Sequence, residues 1–86
     1  MIGFTKSLAR ELAPYKVTVN CIAPGIQNTP RRAQDTQQER EMIMSEVPMR
    51  ELGEPSDLAQ TVVFLCLPTS RYITGTVLSQ DGGHAI

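Results

Sequence analysis

Residues 20–30 read NCIAPGIQNTP and close an apolar, β-rich run, KVTVN, on a Pro24-Gly25 corner, with Thr29 four places after the glycine. Such a string is suited to holding a ligand rather than to transforming one. A glycine lets the backbone come close to a flat partner, a proline stiffens the approach, and the peptide groups and hydroxyl that follow can form hydrogen bonds. Taken alone, the same string also reads as a simple turn whose threonine caps the next segment.

The other residues able to do chemistry form no set. Cys21 and Cys66 lie far apart in apolar runs, without Cys-x-x-Cys spacing or a histidine cluster, and no metal site is expected. They read as reduced, buried thiols acting as small hydrophobes. His84 has no partner types around it and is given no role, while Arg50 reads as a solvated guanidinium.

The elements that position the corner follow from periodicity and breakers. Residues 2–13 place Phe4, Leu8 and Leu12, preceded by Met1, along one face of a helix that Pro14 stops. Residues 17–23, VTVNCIA, predict a strand covered on both faces, interrupted only by Asn20. The stretch 31–47 is the most polar of the chain and becomes methionine-rich at Met42 and Met44, which predicts an excursion carrying a short helix. Pro55 at a first helical position and Asp57 in the first turn predict a helix over 55–67, ended by Pro68 and apolar enough to need cover on two sides. Residues 76–80 predict a strand closed by a turn at Asp81-Gly82-Gly83.

Helix, strand, excursion, helix and strand in that order imply a right-handed βαβ unit in an open α/β parallel sheet. Two parallel strands cannot cover both of their faces, so the unit reads as incomplete. With 86 residues the chain forms one small domain at most, and such a domain buries only about 60–65% of the surface its unfolded form exposes. A net charge of −1 offers no broad attraction for nucleic acid or anionic membranes. No apolar run is long enough to cross a bilayer, and no targeting segment is visible. A cytoplasmic location is the expectation.

Several spacings then coincide. Asn20-x-x-x-Pro24-Gly25-x-x-x-Thr29, Gly53-x-Pro55, Tyr72-Ile73-Thr74-Gly75 and Asp81-Gly82-Gly83, in that order, resemble the C-terminal part of the short-chain dehydrogenase/reductase family over essentially the whole chain. The resemblance implies a Rossmann-type sheet and an NAD(P)-dependent oxidoreductase acting on a small-molecule alcohol or ketone. It implies that Pro24 and Gly25 shape a nicotinamide corner, that backbone groups of Ile26 and Gln27 meet the nicotinamide carboxamide, and that the Thr29 hydroxyl bonds the carboxamide or a phosphate oxygen. Rossmann-type sheets bind ligands beyond the carboxyl ends of their strands, where this corner stands.

The excursion over 31–50 then corresponds to a substrate lid, with Met42 and Met44 as pocket residues whose flexible thioethers suit varied apolar shapes; a plain surface helix is the alternative. Arg31-Arg32 reads as a solvated pair, with approach to a cofactor phosphate as the other reading. Two positions depart from the family pattern: Gln27 stands where many members carry an apolar residue, and Glu51 where many carry an arginine, Arg50 being the nearest basic group.

Within the chain no tyrosine has a lysine four places on, because Tyr15 is followed by Val19 and Tyr72 by Thr76. A tyrosine needs such a cation to act as a base near neutral pH, and no catalytic residue is assigned. The glycine-rich fingerprint that seats phosphates on a helix N-terminus is not found either. The chain alone is expected to bind cofactor weakly or not at all and to turn over no substrate. Two functions remain open: the C-terminal portion of an oxidoreductase, supplying nicotinamide loop, lid and subunit interface, or an inactive truncated product that associates with intact relatives. Homo-oligomers through the helices at 1–13 and 55–67 are expected in either case.

Overall fold

The computed structural model describes residues 2–86; the expectation for Met1 lies outside them. Helix α1 (Ile2–Leu12) runs into a 3-10 turn over Ala13–Tyr15, followed by strand β1 (Cys21–Pro24). A second 3-10 turn, Pro30–Gln34, leads to helix α2 (Gln37–Ser45) and then to helix α3 (Pro55–Cys66). A last 3-10 turn, Pro68–Ser70, precedes strand β2 (Val77–Gln80). The two strands pair in parallel, with Cys21 opposite Val77 and Pro24 opposite Gln80.

The helix ends follow local rules. Pro14 lies in the turn that stops α1, and Lys16 closes that turn with φ 62° and an N–H bond to the Ala13 carbonyl. Helix α2 begins with a reciprocal cap, in which the Thr36 hydroxyl accepts from the Glu39 N–H at 3.1 Å and the Glu39 carboxylate accepts from the Thr36 N–H at 2.9 Å. Helix α3 opens on Pro55 and ends where Leu67, preceding Pro68, turns extended with ψ 148°. The buried Ser70 hydroxyl then donates to the Phe64 carbonyl, one of the last of that helix, at 2.6 Å.

The strand expected over 17–23 is confined to its second half and extends one residue further, to Pro24. The cause is Asn20. Its side chain takes the place of a ladder rung: Nδ2 donates to the Ile73 carbonyl and Oδ1 accepts from the Thr76 N–H, both at 3.1 Å. Ahead of it the Val19 carbonyl accepts a single backbone bond from the Gly75 N–H at 2.8 Å, and the continuous ladder runs from the Cys21 N–H, which reaches the Thr76 carbonyl at 2.9 Å. Nor is the strand covered on both faces, since Cys21, Ile22 and Ala23 are half-buried and Leu78 opposite is exposed.

Packing departs from the periodicity in three further places. The buried face of α1 is Thr5 and Ala9, while Phe4 stands 63% exposed on the expected apolar stripe. The small side is inward because Ala9 lies against Gly75, where Lys6 Nζ also donates to the Gly75 carbonyl at 2.9 Å. Cys66 is exposed and Cys21 half-buried, so the thiols are free but not buried. Helix α3 leaves Val62, Val63 and Phe64 at least half exposed.

Among the described residues only Ala9 and Val47 are buried apolar side chains. The radius of gyration is 15.8 Å, whereas a compact domain of 86 residues would have about 12 Å. Polar bonds hold much of what an apolar core holds elsewhere.

Two expected outcomes follow for urea unfolding monitored by circular dichroism. Asn20→Ala removes two of the bonds that seat residues 73–76 and is expected to lower stability by about 2 kcal/mol, with Asn20→Asp, which keeps the acceptor, losing about half as much. Gly25→Ala would put a Cβ 2.7 Å from the Asp81 Cα, and since neither backbone can yield cheaply a loss of about 1–3 kcal/mol is expected. Gly3→Ala, in open space on α1, serves as the opposite control and should gain up to about 1 kcal/mol.

Candidate functional site

The carboxyl edge of the two strands is built on close backbone approach. Past the last pair, the Gly25 N–H donates to the Gln80 carbonyl at 3.1 Å, and the space of a Gly25 side chain is filled by Asp81. The glycine is therefore required by the chain's own packing. Asp81 holds the turn beyond β2: one carboxylate oxygen accepts from the Gly83 N–H at 3.0 Å and the other from the Ala85 N–H at 3.2 Å. Gly82 and Gly83 take φ values of 63° and 91°, a region that glycine enters without penalty.

The excursion is fastened back onto this edge. Val47 is buried against Gly82, and the Met49 N–H donates to the Gly82 carbonyl at 3.1 Å. Gln27 and Gly53 form an isolated parallel bridge, in which the Gly53 N–H donates to the Ile26 carbonyl at 2.9 Å and the Asn28 N–H to the Gly53 carbonyl at 2.7 Å. The Gln27 side chain folds over Gly53, and its Nε2 donates to the Gly25 carbonyl at 3.1 Å.

A cleft of about 670 Å³ opens beside this knot, and Gly25, Ile26, Gln27, Thr29 and Arg31 are among its walls. Four of the five residues expected to contact cofactor thus meet in one cleft; Pro24 is exposed at the strand end and does not line it. Among the described residues, the N–H groups of Ile26 and Gln27 and the Thr29 hydroxyl have no protein partner. Thr29 starts the 3-10 turn without capping it through its side chain, so the hydroxyl is not consumed by the turn. Arg32 is paired with Asp35 at 3.2 Å, which leaves Arg31 as the exposed, unpaired guanidinium on the cleft wall.

Other expected residues lie elsewhere. Met42 is 63% exposed and Met44 half-buried, and neither lines this cleft or the second one, of about 510 Å³. That second cleft is walled by Val47, Met49, Leu52 and Ile86. Tyr15 and Tyr72 stand 75% and 92% exposed. In the sequence Gly53 stands out only by its spacing to Pro55, and Asp81 only as a turn former. Both prove to be contact partners of the loop, and the ordered glycines were the signal that could have pointed to close backbone approach.

The free donors and the cation suit the edge of a ligand carrying amide and phosphate oxygens, which accept from N–H, O–H and guanidinium groups. The family described as Enoyl-(Acyl carrier protein) reductase matches residues 1–85. The chain is 46% identical over 83 residues to the 3-oxoacyl-[acyl-carrier-protein] reductase of Vibrio harveyi, covering 96% of this chain and 34% of the relative. It is 42% identical over 87 residues to a tropinone reductase homolog of Datura stramonium, covering 95% and 32%. Among solved structures, YwfH, an NADPH-dependent reductase involved in bacilysin biosynthesis, superposes with a TM-score of 0.87 at 36% identity, over 96% of this chain and 35% of that one. The chain spans about a third of the length of these relatives. With the parallel strand pair, the Pro-Gly corner at its carboxyl edge and these matches together, the chain belongs to the short-chain dehydrogenase/reductase family and corresponds to its C-terminal part.

Proposed function

We propose that the chain is the C-terminal portion of an NAD(P)-dependent oxidoreductase acting on an alcohol or carbonyl substrate, and that it supplies the loop meeting the nicotinamide end of the cofactor. The observation that carries this reading is that three donors without a protein partner, the Ile26 and Gln27 N–H groups and the Thr29 hydroxyl, belong to residues lining one cleft at the carboxyl edge of the parallel strands. The bound cofactor would donate or accept hydride. The residues of this chain bind and orient: backbone N–H groups of Ile26 and Gln27 toward a carboxamide oxygen, Thr29 toward the carboxamide or a phosphate, and Arg31 toward a phosphate charge. Pro24 and Gly25 fix where the loop leaves the strand. The reductases named among the relatives support a carbonyl-reducing role, and the solved relative's NADPH supports a nicotinamide dinucleotide.

The excursion over 31–50 is the lid in this reading. Met42, exposed on α2, and Met44, half-buried there, are the apolar side chains this lid would bring to an apolar substrate. No proton donor is assigned to this chain, because its two tyrosines are exposed and lack a lysine four places on.

A second reading, association with other copies or with intact relatives, is favoured by the apolar exposure on two helices. Ile2 and Phe4 on α1, and Val62, Val63 and Phe64 on α3, are each 50% exposed or more, and apolar faces of this kind are normally covered by a partner. The two readings are compatible.

Two measurements test them. In amide-resolved NMR of the 86-residue chain, NADPH should move the Ile26, Gln27 and Thr29 signals, and Thr29→Val should weaken that binding about five- to tenfold, the worth of one hydrogen bond. Signals moving elsewhere, or an unchanged affinity in the variant, would sink the cofactor reading. For association, Val63→Lys should shift sedimentation velocity toward the monomer without lowering the unfolding free energy in urea by more than about 0.5 kcal/mol, as for an exposed site.

A further inference from the structure

Gln27 combines three properties. Its Nε2 holds the Gly25 carbonyl at 3.1 Å. Its carboxamide occupies the space above Gly53, so that a Cβ there would lie 2.6 Å from Nε2 and 2.9 Å from Oε1. Its Oε1 is fully buried and has no hydrogen-bond partner. The third property works against stability, since a buried acceptor left unpaired costs free energy that an apolar side chain of similar length would not.

We infer that Gln27 is a positioning residue for the cofactor loop: its carboxamide ties the Pro-Gly corner to Gly53 and so sets the course of the Ile26 and Gln27 backbone along the cleft. The inference rests on the nicotinamide-contact reading above. Gly25 is already fixed from below by Asp81 and by its bond to Gln80. The Gly53 bridge fixes the peptide groups on either side of Gln27 through the Ile26 carbonyl and the Asn28 N–H. Between these anchors, the Nε2 bond is the side-chain link joining the two, and it spans the two residues whose N–H groups are free. Gly53 belongs to the device, because any larger residue there would displace the carboxamide. The orphaned Oε1 follows from this placement: Nε2 is spent on Gly25, and the other end of the amide is left over Gly53.

The test uses the 86-residue chain and amide hydrogen exchange. In Gln27→Leu, exchange at the Gly53 and Asn28 N–H groups is expected to rise about tenfold, with the Cys21 N–H in the ladder unchanged and the thermal midpoint not lowered, because one bond is lost while one orphan is removed. Gly53→Ala should open the same bridge about tenfold in the parent, yet add less than about twofold to Gln27→Ala, since both substitutions displace one carboxamide. NADPH affinity should fall with bridge opening in each variant. Unchanged exchange, a rise at Cys21 equal to that at Gly53, or full additivity of the pair would each overturn the positioning role. NADPH-induced shifts confined to residues outside the 25–29 loop would instead overturn the cofactor reading, and the exchange pattern, which needs no bound NADPH, would still decide whether Gln27 orders the loop.

Discussion

The contact of Gly25 with Asp81 is the constraint on which the rest of this structure depends. It brings the exits of two parallel strands together at backbone distance, closer than any side chain at residue 25 would permit. Once the exits are stacked, the loop after β1 and the turn after β2 form a common edge, and the returning excursion is fastened to both: Gln27 to Gly53, and Val47 and Met49 to Gly82. Each of these three junctions has glycine on one side. Order at the candidate site therefore comes from backbone packing and hydrogen bonds, and it needs little apolar burial.

That economy matches the remainder of the molecule. Side-chain hydrogen bonds perform joining tasks that an apolar core usually performs: Asn20 seats residues 73–76, Lys6 reaches Gly75, and the Thr61 hydroxyl meets the Gln80 carboxamide at 2.6 Å, linking α3 to β2. Leu58 and Leu65 of α3 meanwhile are half-buried, while Val62, Val63 and Phe64 stand half exposed or more. A sheet of two strands offers too little surface to cover a helix that is apolar on two sides, and part of that face stays uncovered.

In the proposed function the site binds and does not react. What the loop offers is donors, from peptide N–H groups and a hydroxyl, with the Arg31 guanidinium nearby, groups suited to oxygen acceptors and not to moving protons. Gly53 supports that loop through a parallel bridge, which gives the Gly53-x-Pro55 spacing a mechanical meaning: the glycine admits the Gln27 carboxamide, and the proline two places on starts α3.

Short-range physics made much of this legible. Pro55 with Asp57, and Pro68 beyond, bounded α3 to within a residue, because proline acts on its own φ and on its neighbour's ψ. The strand at 77–80 and the short helix in the excursion were readable for the same reason, whereas the residues around Gly25 were singled out by the family resemblance. The start of β1 was not, since the competition between the Asn20 side chain and the ladder is settled by Ile73 and Thr76, more than fifty residues away. Burial escaped in the same way: periodicity names an apolar face on α1 or α3, but whether Phe4, Cys66 or Val63 is covered depends on what lies across from it. Sequence alone determined where the chain turns, caps and extends and which family it belongs to. Only the tertiary structure decided that Gly25 serves Asp81, that Gln27 rests on Gly53 and that the thiols are open, because those contacts join residues whose separation along the chain carries no local signal.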